Sequence, residues 1–584
     1  MAARSVPSIR RRDVDPSLPI LNRLYAARGE DPYAPPDLAL KGLLAPSTMK
    51  GLGAAAAIVA DAVVTGQRII CVGDYDLDGG GSIAVAMNGL EQMGARDIDF
   101  LIPDRLTQGY GLSPALADEA AERGCDVMIT MDNGIAAHAG VARARSHNMT
   151  VVVTDHHLAG ETLPLADVIV NPNQPGCDFA SKNISGCGVV FYLLLAVRAA
   201  LREQGWFERR AIAYPNLAPL LDIVALSTVG DVVRLDRNNR ILVNHGIQRI
   251  RAGYARPGIA ALMTVSGTEA EHITASDFGF RLGPRINASG RLDDMSIGVR
   301  CLLSSTPAEA MAYAGELDAW NRRRREIEAD MREDAFAQTE SREIGAAIVV
   351  SNPEWHEGVV GLVASRLKEH YHRPTIAFAA SHGEIMKGSG RSIPGFHLRD
   401  ALALVAAQHP GAIAKFGGHA MAAGLSVPKE HFSTFESAFM RVCAQWLTED
   451  QMNNVIESDG ELTPKEITTE TARLIESAGP WGQGFLEPVF DGSFRVESVT
   501  LMGAEKQHVR YTLDIGGNPV NAVHFGAAGS HRQPGQSIDM AYKLNVNRWL
   551  GRESLQLMIE HAEEAGPRAD LHPQETAVSH GVGD

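Results

Sequence analysis

Residues 67–81 read QRIICVGDYDLDGGG: an apolar, strand-like run, then three alternating aspartates (Asp74, Asp76, Asp78), then three glycines opening a helix. Similar runs recur downstream. VMITMDNG (127–134) carries Asp132, VVVTDHH (151–157) ends on Asp155, His156 and His157, and DIVALSTVGDVV (222–233) carries Asp231 near its end. Ala-rich helical segments at 54–64, 82–94, 113–124 and 136–148 lie between the earlier runs. Such alternation predicts an α/β fold with a doubly wound parallel sheet. The carboxyl ends of its strands line one crevice, where ligands bind. Carboxylates and imidazoles converging there form a cage for hard divalent cations such as Mn²⁺ or Mg²⁺. A metal-dependent phosphoester hydrolase is the chemistry this pattern predicts.

The motifs differ in weight. DYDLDG mimics a calcium loop, but the twelfth position from Asp74 is Val85 rather than an acidic ligand, so an EF-hand is excluded. Three close aspartates repel unless a cation holds them, which favours metal binding over turn chemistry. Asp132 before Asn-Gly has an ordinary turn as its alternative, and Asp231 after a glycine has the same one. Two adjacent histidines beside an aspartate are the sharpest feature: one imidazole can ligate a metal while its neighbour contacts phosphate or moves a proton.

At 584 residues the chain is too long for one core. A net charge of −16 argues against tight non-specific duplex binding and leaves room for a single-strand channel. The longest apolar stretch, Gly188 to Leu201, is interrupted by Arg198 and too short to span a bilayer. Six cysteines without a CxxC pair read as buried residues of a reducing cytoplasm.

Residues 1–50 are read as an N-terminal extension and 51–305 as the metal-binding domain. Residues 306–344 are read as one long connecting helix, whose Arg322–Arg325 cluster reads mainly as a solvated face pairing with Glu, with phosphate contact as the alternative. A second, smaller α/β unit spans 345–447. Short alternating runs over 448–564 predict a small antiparallel barrel, and the polar 565–584 a disordered tail.

The series GDYDLDG, IPDR…GYGL, TMDNG, TDHH, NPNQ, GCGVVF and TVGDVVRLD resembles the DHH phosphoesterases. GPRINASGRLDD, SGRSIPGFHLRDAL and FGGHAMAAG extend the likeness. With the C-terminal barrel, which then reads as an OB-fold, the order is similar to the bacterial single-strand-specific exonucleases of that family, from about residue 20 to 560. The resemblance implies two ions, Mn²⁺ or Mg²⁺, that activate water for in-line attack and stabilise the attacking and leaving oxygens. By motif position, Asp76 and Asp78 bind the metals, Asp132 bridges them, and His156 and Asp231 complete the shell. Asp74 supports the metal site, and Asp155 supports His157, which touches the scissile phosphate or assists proton transfer.

In the second unit Ser389, Arg391, Gly418 and His419 suit a terminal phosphate, with Arg105 as a further contact; for the glycines, tight packing is the alternative. In the barrel Tyr542 and Trp549 are candidate stacking residues, with core packing as the alternative. Leu77, Gly80–Gly81, Cys187 and Gly230 depart from the family pattern without removing a ligand. The glycine pair is expected to loosen the helix start, at about 1 kcal/mol per glycine, and so weaken metal retention.

The function implied is 5′→3′ hydrolysis of single-stranded DNA to mononucleotides in repair and recombination. A phosphodiesterase for short oligonucleotides or cyclic dinucleotides, or a non-catalytic scaffold of the same fold, is the alternative. A single-strand-binding protein and a helicase are the partners implied, with a cytoplasmic monomer and no membrane association.

Overall fold

The computed structural model describes residues 7–34, 36–105, 108–380, 383–549 and 551–564. Two compact units emerge, one built from 36–454 with 479–487, the other from 7–35, 455–478 and the segment from 488 onward.

The second unit opens the chain: β1 (Ser8–Arg11) belongs to it. The first unit then begins with five short strands, β2 (Ile69–Val72), β3 (Ile98–Leu101), β4 (Val127–Met131), β5 (Thr150–Thr154) and β6 (Val168–Val170). All pair in parallel in the order β3-β2-β4-β5-β6. β2 and β4 are buried along their whole length, as a sheet covered on both faces requires. The first connection runs outward to one side and the next crosses back, so the topological switch falls between β2 and β4. Asp74, Asp76 and Asp78 follow β2, and Asp132 follows β4, on either side of that switch.

DIVALSTVG does not form a strand. Leu221–Gly230 is a helix buried on nearly every side, and Asp231 is its C-cap. A helix apolar all round carries no amphipathic period, so a short apolar run of this kind has the signature of a buried strand. The chemical placement survives the change of element.

The connecting helix spans Pro307–Glu340, about 51 Å at 1.5 Å per residue. Thr306 caps it, Pro307 occupies its first turn, and Arg322, Arg323 and Arg324 pair along it with Asp318, Glu326 and Glu328.

The smaller sheet holds β7 (Ile348–Asn352), β8 (Thr375–Ala380), β9 (Ile385–Arg391), β10 (Lys415–Gly418) and β11 (Ala422–Pro428), in the order β10-β11-β9-β8-β7. Only β7 and β8 run parallel. Its core is aromatic-rich, with Phe378, Phe435 and Phe439 fully buried.

In the second unit, β12 (Val455–Ser458) pairs in parallel with β1. The N-terminal segment read as an extension is therefore tied to the C-terminal part of the chain, and Arg28 meets Asp459 there at 3.0 Å with both side chains 2% exposed. The strands β13 (Phe490–Met502), β14 (His508–Ile515), β15 (Asn518–His524), β16 (Ser537–Trp549) and β17 (Arg552–Glu564) close a barrel in the order β13-β14-β15-β17-β16. Tyr542 lies inside it, fully buried against Phe490 and Phe494. That corrects its reading as a stacking residue: its place on β16 turns it to the barrel axis, whereas Trp549 at the end of β16 is 71% exposed. The disordered tail expected at 565–584 lies outside the described residues.

Candidate metal centre

The loop after β2 delivers three carboxylates in different ways. Asp76 is the N-cap of the helix Leu77–Gln92 and accepts from the amides of Asp78 (2.9 Å) and Gly79 (3.2 Å). Asp78 enters the first turn and accepts from the amides of Gly186 (2.6 Å) and Cys187 (3.1 Å), at the start of the helix Gly186–Glu203. Two amides and the positive end of that helix hold an otherwise costly buried carboxylate in place. Asp74 is 2% exposed and its Oδ1 has no hydrogen-bond partner among the described residues.

Asp132 stands in the left-handed region at φ +61°, a conformation that costs a non-glycine residue about 1–3 kcal/mol and marks functional positions. Its amide donates to Thr154 O (3.1 Å) and its carbonyl accepts from the Tyr110 hydroxyl (2.7 Å). Gly186 packs against it so closely that a β-carbon there would lie 2.7 Å from that of Asp132. The strain aims the carboxylate at His156, whose Nε2 is 3.0 Å from Asp132 Oδ1, 3.5 Å from Asp231 Oδ2 and 4.0 Å from Asp78 Oδ2.

These contacts are not ion pairs. Burial, with the charge of His157 beside it, pulls the His156 imidazole down to about 3, so it is neutral. The Ile184 backbone is its hydrogen-bond partner while Nε2 has none among the described residues, so Nδ1 carries the proton and Nε2 offers a lone pair. Asp132 Oδ1 and Asp231 Oδ2 are likewise buried without hydrogen-bond partners among the described residues. Burial and mutual repulsion push Asp78 up to about 7, and Asp74, Asp132 and Asp231 well above the usual carboxylate range. Orphaned lone pairs on raised carboxylates around a neutral imidazole fit a cation. Three donor groups, Asp74–Asp76–Asp132, Asp78–His156–Asp231 and Asp132–His156–His157, each lie within 4.8 Å. Asp132 belongs to two of them. Oxygen donors with one or two imidazoles suit Mn²⁺ or Mg²⁺, and bound there the ions would supply Lewis-acid activation of water and phosphate.

Asp155 does something else. Its carboxylate accepts from Ile135 N, His156 N, His157 N and His157 Nδ1, at 2.7–3.1 Å. Burial opposes its charge, but the His157 hydrogen bond, the charges of His157 and His156 and the Ile135 amide together outweigh burial and hold it below the usual range. Burial also opposes a charged His157, and Asp155 raises it. So Asp155 orients His157 through Nδ1 and leaves Nε2 for another partner, with the Tyr110 hydroxyl 3.4 Å away.

Across the cleft the smaller sheet contributes His419, stacked on His157 with centroids 5.8 Å apart at 17°. Gly418 precedes it at φ +133°, where a β-carbon would strike Ala422 O at 2.4 Å. By contrast, a β-carbon on Gly417 would meet open space, so packing is not what places that glycine there. Arg391 Nη1 donates to Ser389 Oγ (3.0 Å) and Gly390 O (2.8 Å). Arg105 lies over Tyr75, 4.7 Å from the ring centroid.

Sequence reading missed three participants. Arg291 is half-buried and held down to about 9, by burial first and then by the charges of Arg105, Arg391 and Arg324. Such crowding of guanidiniums is stable when an anion sits among them, as a phosphate would. Its signal in the sequence is the arginine of GRLDD. Tyr110, from GYGL, places its hydroxyl 3.2 Å from His157 Nδ1 as well as on Asp132. The Gly186 and Cys187 amides are backbone groups, invisible to any side-chain motif.

The glycine pair is not a loosening of the helix. A β-carbon on Gly80 would fall 2.6 Å from the Met295 methyl, and one on Gly81 1.9 Å from Ser227 Oγ. The Leu77 helix packs against its neighbours at a distance only glycine allows, so the expected weakening of metal retention lacks its physical cause.

Hard anionic donors gathered beneath a cationic wall are what a metal-dependent phosphoesterase requires, and that is the class this fold and site define. Comparison with known families agrees: residues 68–228 match the DHH family, N-terminal domain, 345–445 the DHHA1 domain, and 458–561 the RecJ OB domain. The chain is 47% identical over 572 residues to the single-stranded-DNA-specific exonuclease RecJ of Dickeya dadantii, covering 95% of this chain and 99% of that protein. It is 47% identical to the Escherichia coli protein of the same name, covering 95% and 98%. The Thermus thermophilus RecJ structure in complex with Mn²⁺ superposes with a TM-score of 0.77 at 29% identity, covering 96% of this chain and 80% of that one. A second exonuclease RecJ structure, bound to manganese, gives 0.57 at 35% identity, covering 69% and 97%. The chain belongs to the RecJ family of single-stranded-DNA-specific exonucleases.

Proposed function

We propose that this chain is a Mn²⁺- or Mg²⁺-dependent exonuclease that degrades single-stranded DNA from the 5′ end to mononucleotides. The observation that carries the reading is the pairing across the cleft. Unpartnered oxygen and imidazole donors face one side, while Arg105, Arg291, Arg391 and Ser389 with the stacked His419 face the other. The metal side holds Asp74, Asp76, Asp78, Asp132, His156 and Asp231 as ligands, with His157, set by Asp155, against the scissile phosphate. The guanidinium side takes the terminal 5′ phosphate, and its capture there sets the polarity.

Within this reading the residues divide the work. Asp132 is held by its strained backbone to serve two ions, His157 presents Nε2 to an oxygen of the substrate, and Arg391, steadied by Ser389, neutralises the terminal phosphate. The barrel grips the strand, with Trp549 as an exposed stacking face. No single helix among the described residues is long and apolar enough to cross a membrane. A monomer in the cytoplasm, supplied with strand by a helicase and a single-strand-binding protein, completes the proposal. The short-substrate and scaffold alternatives are not favoured, since every ligand is present and a closed barrel follows the two α/β parts.

The test uses wild type and Asp132→Ala with Mn²⁺, on single-stranded and duplex DNA labelled at either end. Release of mononucleotides from 5′ ends of single strands, lost in the variant, is expected. Equal cleavage of duplex, release from 3′ ends, or turnover confined to dinucleotides would each overturn a part of the reading.

A further inference from the structure

Between Thr274 and Gly283 the backbone leaves regular α-helix: Phe278–Leu282 forms a π-turn, a form that is rare and concentrates at functional positions. Phe278 and Leu282 are thereby fully buried, while Phe280 is turned outward with 83% exposure, the largest of any large apolar side chain among the described residues. The turn lies one side-chain layer out from the metal ligands. A β-carbon on Gly279 would sit 3.6 Å from Val229, two residues before Asp231, and one on Gly283 3.2 Å from Leu77, which stands between Asp76 and Asp78. Val232, next to Asp231, is 65% exposed at φ +62°.

Positive charge gathers on the segment that follows this ring. Arg281 follows it in sequence and pairs with Asp277 at 3.4 Å. Arg285, one turn on, shares Asp318 with Arg322 of the connecting helix, at 3.0 and 2.9 Å. Arg325 and Arg281 both lie close enough to Arg285 to repel its charge. Arg325 itself is exposed and makes no ion pair among the described residues. Four guanidiniums thus meet two carboxylates, in a chain whose net charge is −16. An aromatic face in cationic surroundings is the combination that holds single strands whatever their sequence, because every base offers a π-face. A core role is excluded for Phe280 by its exposure.

We propose that Phe280 is a stacking platform for a base of the single strand outside the metal cleft, with Arg281, Arg322 and Arg325 holding the adjoining phosphates. The proposal rests on the exonuclease reading and adds to it a contact in the unit that cuts, separate from the barrel. It also gives the Arg322–Arg325 cluster a use beyond helix pairing.

The test compares full-length wild type, Phe280→Ala, Phe280→Trp and Arg325→Ala on single-stranded oligonucleotides of about three and about thirty nucleotides with Mn²⁺. For the long strand, Phe280→Ala is expected to raise KM about five- to tenfold, the worth of one stacked base, with kcat unchanged. The trimer, with fewer bases to stack on the ring, shows a smaller change. Phe280→Trp keeps the wild-type KM, and its emission is quenched when oligo-dT is added in EDTA, where the strand is bound and not cut. Arg325→Ala weakens binding at low salt and flattens its salt dependence. A Phe280→Ala KM equal to wild type at both lengths, or a tryptophan that oligo-dT leaves unquenched, overturns the proposal, as does a wild-type KM accompanied by loss of a protein partner. If wild type cuts no single strand, the exonuclease reading falls instead, and the quenching titration still decides the stacking site.

Discussion

The Leu77 side chain occupies the space that a β-carbon on Gly230 would need: built there, that carbon would lie 2.3 Å from Leu77 Cδ2. Leu77 begins the helix that carries Asp78, and Gly230 ends the helix that presents Asp231. Both are positions at which the resemblance implies another residue, a smaller one at the first and a larger one at the second. The contact makes them one exchange of volume beneath the metal centre rather than two separate departures.

Gly230→Ala alone is therefore expected to overpack the junction and lower stability by about 1–3 kcal/mol. Leu77→Ala leaves a cavity and costs about 2–5 kcal/mol. The double variant costs less than the sum, because the new methyl partly fills the cavity. Denaturant unfolding of the four chains with EDTA measures the coupling, and strict additivity would show that the two side chains ignore each other.

A second packing prediction concerns Gly81. Its obstacle is Ser227 Oγ at 1.9 Å, with the Ser227 β-carbon farther off at 3.2 Å. Gly81→Ala should destabilise the chain by about 1–3 kcal/mol, and Ser227→Ala introduced alongside should return most of that loss. Gly81→Thr should lower the melting temperature without tightening Mn²⁺. A Gly81→Thr chain that melts as wild type would mean the Leu77 helix has slack here.

The carboxylate cage links metal, protons and stability. Asp78 is raised to about 7, Asp74, Asp132 and Asp231 are raised well above the usual range, and His157 is raised too. Groups whose folded-state pKa is raised contribute stability below their unfolded pKa and lose it as pH climbs through the folded value. His156, held down to about 3, works the other way and gains stability as pH rises through its unfolded value. Four raised carboxylates outnumber it, so without metal the chain should lose at least about 1.4 kcal/mol, one pKa unit's worth, between about pH 5.5 and pH 8. Mn²⁺ should reverse that trend and release more protons at about pH 6 than at pH 8, where the carboxylates are already charged. Denaturation at both pH values, with EDTA or Mn²⁺, and calorimetry in buffers of different ionisation enthalpy read the two effects. A pH-independent metal-free stability would show that the cage is open to solvent.

Much of this was legible in the chain because both sheet ligands and phosphate contacts sit where periodicity breaks. Asp74, Asp76, Asp132 and Asp155 each interrupt an apolar run at a strand's carboxyl end, and strand ends of a parallel sheet share one edge. Asp231 was legible as a residue and not as an element, since a helix buried all round has no period to betray it. Tyr542 was misplaced because alternation along a barrel strand identifies two faces without saying which turns inward. Arg291 and Tyr110 reach the site from segments remote in sequence, and only their packing, not a local pattern, brings them there. The N-terminal segment was unreadable for the same reason: its strand finds β12 more than four hundred residues away.

Tyr110 offers the sharpest remaining test of how the centre is held. Its hydroxyl donates to the carbonyl of Asp132, the one carboxylate shared between two donor groups and a ligand held in a strained conformation. The same oxygen lies 3.2 Å from His157 Nδ1, whose proton is shared with Asp155. Tyr110→Phe keeps the ring against Tyr75 and His157 and removes both hydrogen bonds. Asp132 then loses part of what holds its left-handed backbone, a conformation costing about 1–3 kcal/mol. Mn²⁺ affinity and kcat should each fall about 10- to 100-fold, as when a ligand's outer hydrogen bond is removed. KM for single-stranded DNA should stay unchanged, since the guanidinium wall is untouched. Mn²⁺ calorimetry beside steady-state kinetics separates the cases: wild-type values for both metal affinity and kcat would make Tyr110 a wall of the cleft and nothing more.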